Sequence, residues 1–307
     1  GEDTLSLHDA LPIFSVVRDT FAEASAALGF DLWQIAQSGE GLDQTENTQP
    51  VLLTASIALW RVWLELGGIA PKYLAGHSLG EYSALVAAEA MTLADAVKLV
   101  HLRGKLMQSA VPQGTGAMAA ILGLADEKVI ELCQKVNASA AGQGSVEAAN
   151  YNAQGQVVIA GSTALVQQVM AEAKEQSGKA IALPVSVPSH CTLMKPAAEK
   201  FAEALEQTAI ELPHLPVIQN VNAEIATDVA QLRQALTAQL YQSVQWTRTM
   251  QYLQDEGVQY VVECGPGTVL SNLAKRLPNI EKAFAIDSKA RMEDALNAVL
   301  VAEGKIA

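Results

Sequence analysis

The 307-residue sequence predicts an α/β protein, a mostly parallel sheet covered on both faces by helices, with a smaller strand–helix unit inserted into it. Three observations carry that expectation. Apolar strand-like runs alternate with helical stripes on either side of the middle of the chain, as parallel strands with crossover helices require. The middle, residues 114 to 187, orders its runs β-α-β-β-α-β, the signature of a ferredoxin-like unit. At "AGHSLGEYSALVAAE" (75–89) a short apolar strand passes through a glycine-flanked turn into a helix, and ligands collect at such strand ends.

The elements follow in order. Val16, Phe21, Ala24 and Leu28 fall at helical spacing, with Gly29 as the stop. A second helix is expected from about Pro50 to Leu66, ending at Gly67 and Gly68. "KYLAG" is a short strand leading into the turn at Ser78 and a helix through Ala90. Thr92 with Asp95 makes a capping-box-like start for a helix to about Ser109. In the inserted unit "GAMAAILGL" is a strand, and Asp126 caps a helix reaching Val136. "SVEAANYN" and "QVVIAG" are two more strands, Thr163 to about Gln176 is a helix, and "KAIALPVSV" closes the unit. Beyond it come the strand "VIQNVNAE" and the helices "DVAQLRQALTAQLYQ" and "TRTMQYLQDEG". "VQYVVECGPGTVLSNLAKR" reads as strand, glycine turn and helix, and "KAFAID" as a last strand. The domains are thus expected at 1–113 with 188–307, and at 114–187.

Composition narrows the function. Half of the residues are hydrophobic, enough for a large core. Asp plus Glu outnumber Lys plus Arg by 33 to 20, a formal net charge of -13 without a basic run. Such a chain is a poor partner for nucleic acid or an anionic membrane, and no run is long enough for a membrane span. Cys133, Cys191 and Cys264 are far apart and form no CxxC pair, so they read as free thiols of a reducing compartment, most simply the cytoplasm, with no zinc site. The opening "GEDTLSLHDALPIF" lacks the regions of a secretory signal and any regular periodicity, and residues 1–11 are set aside as an atypical leader.

The chemistry centres on "GHSLG". A sharp strand-to-helix turn would hold Ser78 in strained geometry, with Gly76 and Gly80 permitting strand and helix to approach. Amides of the following helix turn would face an oxyanion there. The plain alternative is a glycine turn that happens to contain a serine. A nucleophilic serine needs a base. His8 lies in the leader, His101 on a polar helix face, His214 in a proline-flanked loop, and His77 beside Ser78 in sequence. His190, in "PVSVPSHC", is left as the candidate base; its alternative is a histidine that merely satisfies a loop.

Arg103 falls inside the apolar sector of its helix, between Leu99 and Ala96, with Leu99, Val100, Leu106 and Met107 three and four residues away. A guanidinium facing a core requires an anion. That anion is either a structural carboxylate from elsewhere in the chain or the carboxylate of a substrate, gripped bidentately.

Together "GHSLGEYSALVAA", "RGKLMQ", "NYNAQGQVVIAG", "PVSVPSHC" and "ECGPGTVL" make the chain resemble the malonyl-CoA:acyl carrier protein transacylase family of bacterial fatty-acid synthesis, from about Pro12 to near the C-terminus. The resemblance implies a hydrolase-like core with a ferredoxin-like insert. It implies Ser78 as nucleophile, His190 as base and Arg103 as the malonyl carboxylate's partner. It implies the Leu79 amide as oxyanion donor, the backbone carbonyl of Gln239 as the group orienting the histidine, and Asn152 lining the cleft between the domains. The partners implied are malonyl-CoA, as substrate, and acyl carrier protein, with no metal or redox cofactor. Lys179, Lys275 and Arg276 are the candidates for a basic docking patch. Family members open with a strand and a "GQGSQ" turn whose glutamine amide is the second oxyanion donor, whereas "GEDTLSLHDAL" stands here, so an impaired enzyme is expected. Two other readings are a serine thioesterase or esterase, and a non-catalytic carrier-protein-binding module. Release of free malonate would mark the first, and absence of any acylation the second.

Overall fold

The computed structural model describes residues 15–185 and 187–305. The expected leader, residues 1–11 with His8, lies outside the described residues. The first half of the chain runs α1 (Ser15–Leu28), α2 (Leu32–Ser38), α3 (Thr45–Glu65), β1 (Leu74–Ala75), α4 (Gly80–Ala87) and α5 (Leu93–Ser109). Next come β2 (Gly116–Leu122), α6 (Asp126–Ser139), β3 (Val146–Ala153), β4 (Gln156–Ser162), α7 (Thr163–Glu175) and β5 (Lys179–Ala182). The rest is α8 (Lys195–Gln207), β6 (Val217–Ile218), α9 (Val229–Gln239), α10 (Trp246–Asp255), β7 (Tyr260–Glu263), α11 (Val269–Ala274), β8 (Lys282–Ala285) and α12 (Lys289–Ala302). No helix among the described residues is long and apolar enough to cross a membrane.

The chain packs as two compact units. One holds the described residues up to Gly104, Ala209–Val217 and those from Met250 on; the other holds Lys105–Thr208 and Ile218–Thr249. The second is larger than the 114–187 segment expected, because 105–113, 188–208 and 218–249 pack with it.

In the first unit α1 buries Val17, Thr20, Phe21 and Ala24, so the buried stripe lies one residue off Val16 at its start. Gly29 ends the helix in the left-handed region, φ 80°. α3 begins at Thr45, five residues before the expected Pro50, which sits inside the helix. Proline has no N–H to give to the carbonyl four residues back. That carbonyl, on Glu46, is taken instead by the His101 ring, Nδ1 to O 2.8 Å. Thr92 and Asp95 do start α5 as expected: the Asp95 amide donates to the Thr92 hydroxyl (3.1 Å), which donates to the Asp95 carboxylate (2.9 Å). β7 and β8 pair in parallel from Tyr260↔Lys282 to Glu263↔Ala285, as the predicted parallel sheet requires.

The second unit holds a four-stranded sheet of order β3-β4-β2-β5, every neighbour antiparallel. One face carries Ala119, Ile121, Val157 and Ile159 into a core with Val129, Leu132 and Val136 of α6 and Val166 and Val169 of α7. The other face sets Met118, Ala149, Val158 and Ala160 against Cys191. Asp126 is not the cap of α6: Ala125 occupies that position and Asp126 is the first helical residue.

Candidate active site

Ser78 lies between β1 and α4 with φ 53°, a left-handed conformation costly for any residue with a Cβ. The turn around it is closed by backbone bonds: the Gly80 amide donates to the His77 carbonyl at 2.9 Å and the Glu81 amide to the Ser78 carbonyl at 3.1 Å. Gly76 makes this possible, since a Cβ there would lie 1.9 Å from the Gly80 carbonyl oxygen. Gly80 itself has open space at its Cβ position, so of the two expected glycines Gly76 alone is sterically required. Leu79 is the N-cap residue of α4, its amide directly after Ser78.

Arg103 is 1% exposed, on the buried face that the apolar pattern of α5 predicts. Nη1 donates to Gln49 Oε1 at 2.8 Å and Nη2 to Ser78 Oγ at 3.3 Å. The guanidinium carbon stands 5.4 Å from the Tyr82 ring centroid, within cation–π range. Burial pushes the guanidinium below its usual pKa, while Tyr82 and then Glu81 act the other way. An arginine stays protonated even so. Neighbouring Gly104 fixes the approach: a Cβ there would be 2.6 Å from the Glu46 Cα and the Thr45 carbonyl oxygen. The close crossing of α5 and α3 puts Gln49 within reach of Arg103. An expected start at Pro50 leaves Gln49 outside α3. The signal was there: Gln49, Leu53 and Ile57 repeat every four residues on the buried face.

His190 is 3% exposed and also left-handed, φ 60°. Its amide donates to the Leu240 carbonyl at 3.0 Å. Nδ1 stands 2.6 Å from the backbone oxygen of Gln239. A carbonyl accepts only, so Nδ1 carries the proton and Nε2 is the unprotonated nitrogen of the neutral ring. Gln239 is the last residue of α9, so its carbonyl sits at the negative end of the helix dipole. A helix end thus orients the imidazole.

Ser78, Leu79 and Arg103 come together in the first unit, and His190 and Gln239 in the second. Asn152 lies on β3 at a register shift between Tyr151 and Ala153. Two other histidines are engaged elsewhere: His101 with Glu46, and His214 with Glu89 at 3.1 Å. Lys179, Lys275 and Arg276 are exposed; the last two follow α11 directly, and Lys179 starts β5.

The chain matches the acyl transferase domain family over residues 4–293. It is 50% identical over 286 residues to the malonyl CoA-acyl carrier protein transacylase of Salmonella typhimurium, spanning 92% of this chain and 91% of that protein. A crystal structure of FabD from Acinetobacter baumannii is similar at 84% identity and TM-score 0.95, over 98% of this chain and 96% of that one. A malonyl-transacylase solved in complex with a type II polyketide-synthase acyl-carrier protein is similar at 46% identity and TM-score 0.92, over 97% of each chain.

Proposed function

Because this chain belongs to the acyl transferase domain family, we propose that it moves the malonyl group of malonyl-CoA to the phosphopantetheine thiol of acyl carrier protein through a malonyl-serine. Its relatives bear the name of that activity. His190 Nε2 takes the Ser78 proton as Oγ attacks the thioester carbonyl. The tetrahedral oxyanion receives the Leu79 amide. Collapse breaks the C–S bond, and His190 returns the proton to the departing coenzyme A sulfur. In the second half the carrier thiol gives its proton to His190, its sulfur attacks the serine ester, and Ser78 regains its hydrogen as malonyl-thioester leaves. Gln239 holds the imidazole through both halves, Asn152 lines the substrate cleft, and Arg103 grips the malonyl carboxylate. The reaction uses malonyl-CoA as substrate and no metal or redox cofactor, and we place it in the cytoplasm.

One observation carries the reading. The buried Arg103 guanidinium lies 3.3 Å from Ser78 Oγ, the atom that would bear the acyl group. A malonyl ester puts its free carboxylate three bonds beyond that oxygen, within reach of the same guanidinium. The proposed architecture is a hydrolase-like core, 1–113 and 188–307, with a ferredoxin-like insert at 114–187; the strand order β3-β4-β2-β5 supports the insert.

Intact mass after incubation with malonyl-CoA tests the assignment. The wild type is expected to gain one malonyl group and Ser78→Ala none, with His190→Ala slowed about 10²–10⁴-fold. Arg103→Ala is expected to lose malonyl transfer by roughly 1.5–3 kcal/mol while acetyl transfer is spared. Equal labelling of wild type and Ser78→Ala would remove Ser78 from the mechanism. Free malonate without acceptor would point to a thioesterase, and no acylation at all to a binding module.

A further inference from the structure

We infer that Glu147 is a positioning residue for His190, an inference that rests on His190 being the base. The segment after the histidine is seated on the sheet face opposite the helices. Cys191 is fully buried against Met118, Ala149, Val158 and Ala160 of β2, β3 and β4, and its thiol donates to the Pro188 carbonyl at 3.1 Å. Next in the chain, Thr192 meets Glu147: the Thr192 amide donates to one carboxylate oxygen at 3.1 Å and its hydroxyl to the other. Glu147 pairs with Ala160 of β4 and so lies on the face that Ala149 and Ala160 line. Strand β3 thus offers an apolar seat for Cys191 and an anionic clamp for Thr192, at the two residues that follow His190.

The clamp matters because of what it holds. His190 keeps a left-handed φ of 60°, which a residue with a side chain adopts only when its surroundings impose it. Its ring and amide are fixed from one side by the Gln239 and Leu240 carbonyls at the end of α9. Seating Cys191 and Thr192 on β3 fixes the other side, so the backbone is held at both ends of the strained residue. Thr192 also opens the turn that leads into α8, and the Glu147 carboxylate serves its exposed amide as an N-cap would. Without it, the segment 190–192 has a wider choice of backbone angles, and the imidazole spends less time aligned for proton transfer.

The test measures the rate at which malonyl-CoA acylates the full chain, by quenched intact mass at several substrate concentrations. Glu147→Ala should lower the limiting rate roughly 5- to 30-fold, the size of a lost capping contact, with little change in the half-saturating concentration. Glu147→Gln keeps an acceptor oxygen and should recover most of the rate. In a His190→Ala background, Glu147→Ala should cost nothing further, because the group it positions is gone. A wild-type rate for Glu147→Ala, or the same fold loss in both backgrounds, overturns the inference. Should Glu147→Ala fail to fold, Thr192→Val removes the hydroxyl's contacts with Glu147 and Ser145, leaves the amide bond to Glu147, and reads the same two-background comparison. A His190→Ala protein as fast as the wild type would instead sink the base assignment, and that result is read without any change at Glu147.

Discussion

Arg103 holds a charge out of water, donating to a glutamine oxygen and a serine hydroxyl, against the face of a tyrosine ring, with the buried Glu81 carboxylate favouring the cation. A substrate carboxylate would therefore gain a partner already desolvated and aimed, as electrostatic preorganisation requires. Gln49 does the aiming, so Gln49→Leu should weaken malonyl transfer by roughly 1.5–3 kcal/mol, the worth of a hydrogen bond to a charged group, and leave acetyl transfer nearly unchanged. Comparing kcat/KM for the two acyl-CoA substrates checks it; an equal loss for both would make Gln49 a packing residue. Arg103→Lys should not rescue Arg103→Ala, since an ammonium cannot grip a carboxylate with a planar fork. At this scale much was legible. Arg103 betrayed itself by sitting in an apolar sector, and Ser78 by its glycines. The group that orients His190 left no such mark, because it is a backbone carbonyl, and any side chain at position 239 would present the same oxygen. The resemblance alone led to Gln239.

Elements set the distances between these residues, and three glycines show how closely. A methyl at Gly76 would strike the Gly80 carbonyl, so Gly76→Ala should open the turn and abolish acylation. Gly80→Ala meets open space and should fold and acylate much as the wild type does. Gly104→Ala would wedge α5 away from α3, part Arg103 from Gln49, and cost about 1–3 kcal/mol as overpacking usually does. Thermal melts with malonyl and acetyl kinetics on the three variants check the set. The longer elements could be read from periodicity, but α2, α8 and α12 were not anticipated. At seven residues α2 is too short to show a period, and its evidence is local: Asp31 accepts from the Gln34 amide, and Gly39 ends it at φ 72°. The stripe of α8, Ala197, Ala198, Phe201 and Leu205, is half alanine and so weakly apolar in sequence. Strand lengths were overread for a different reason. "VIQNVNAE" looks like one strand, yet the chain folds back at Ala223, φ 57°, with the Gln219 amide donating to the Glu224 carbonyl at 2.8 Å. Pairing, not side-chain pattern, ends β6 at Ile218.

Over the whole molecule, net charge and buried thiols act in the same direction as pH rises. The chain carries -13 at neutral pH and grows more negative as its lysines and tyrosines lose protons, which strains a compact state. Cys133 and Cys191 add a separate effect, since burial pushes each thiol up to about 12. The unfolded chain releases these protons near a pKa of roughly 8.5. Below that value both states keep them and the thiols' contribution is fully present. Between about 8.5 and about 12 the unfolded state binds fewer protons than the folded one, so stability falls with rising pH, by at most about 1.4 kcal/mol per pH unit for each thiol. Self-repulsion would give the same sign, so the slope alone does not separate the two. The doubly substituted Cys133→Ala/Cys191→Ala chain does: it starts less stable, because two buried side chains are trimmed, but keeps the charge. Urea unfolding from pH 8 to 10.5 should show the wild type losing stability more steeply than the double variant. Parallel curves would mean that the thiols titrate alike in both states and that repulsion alone weakens the fold in alkali.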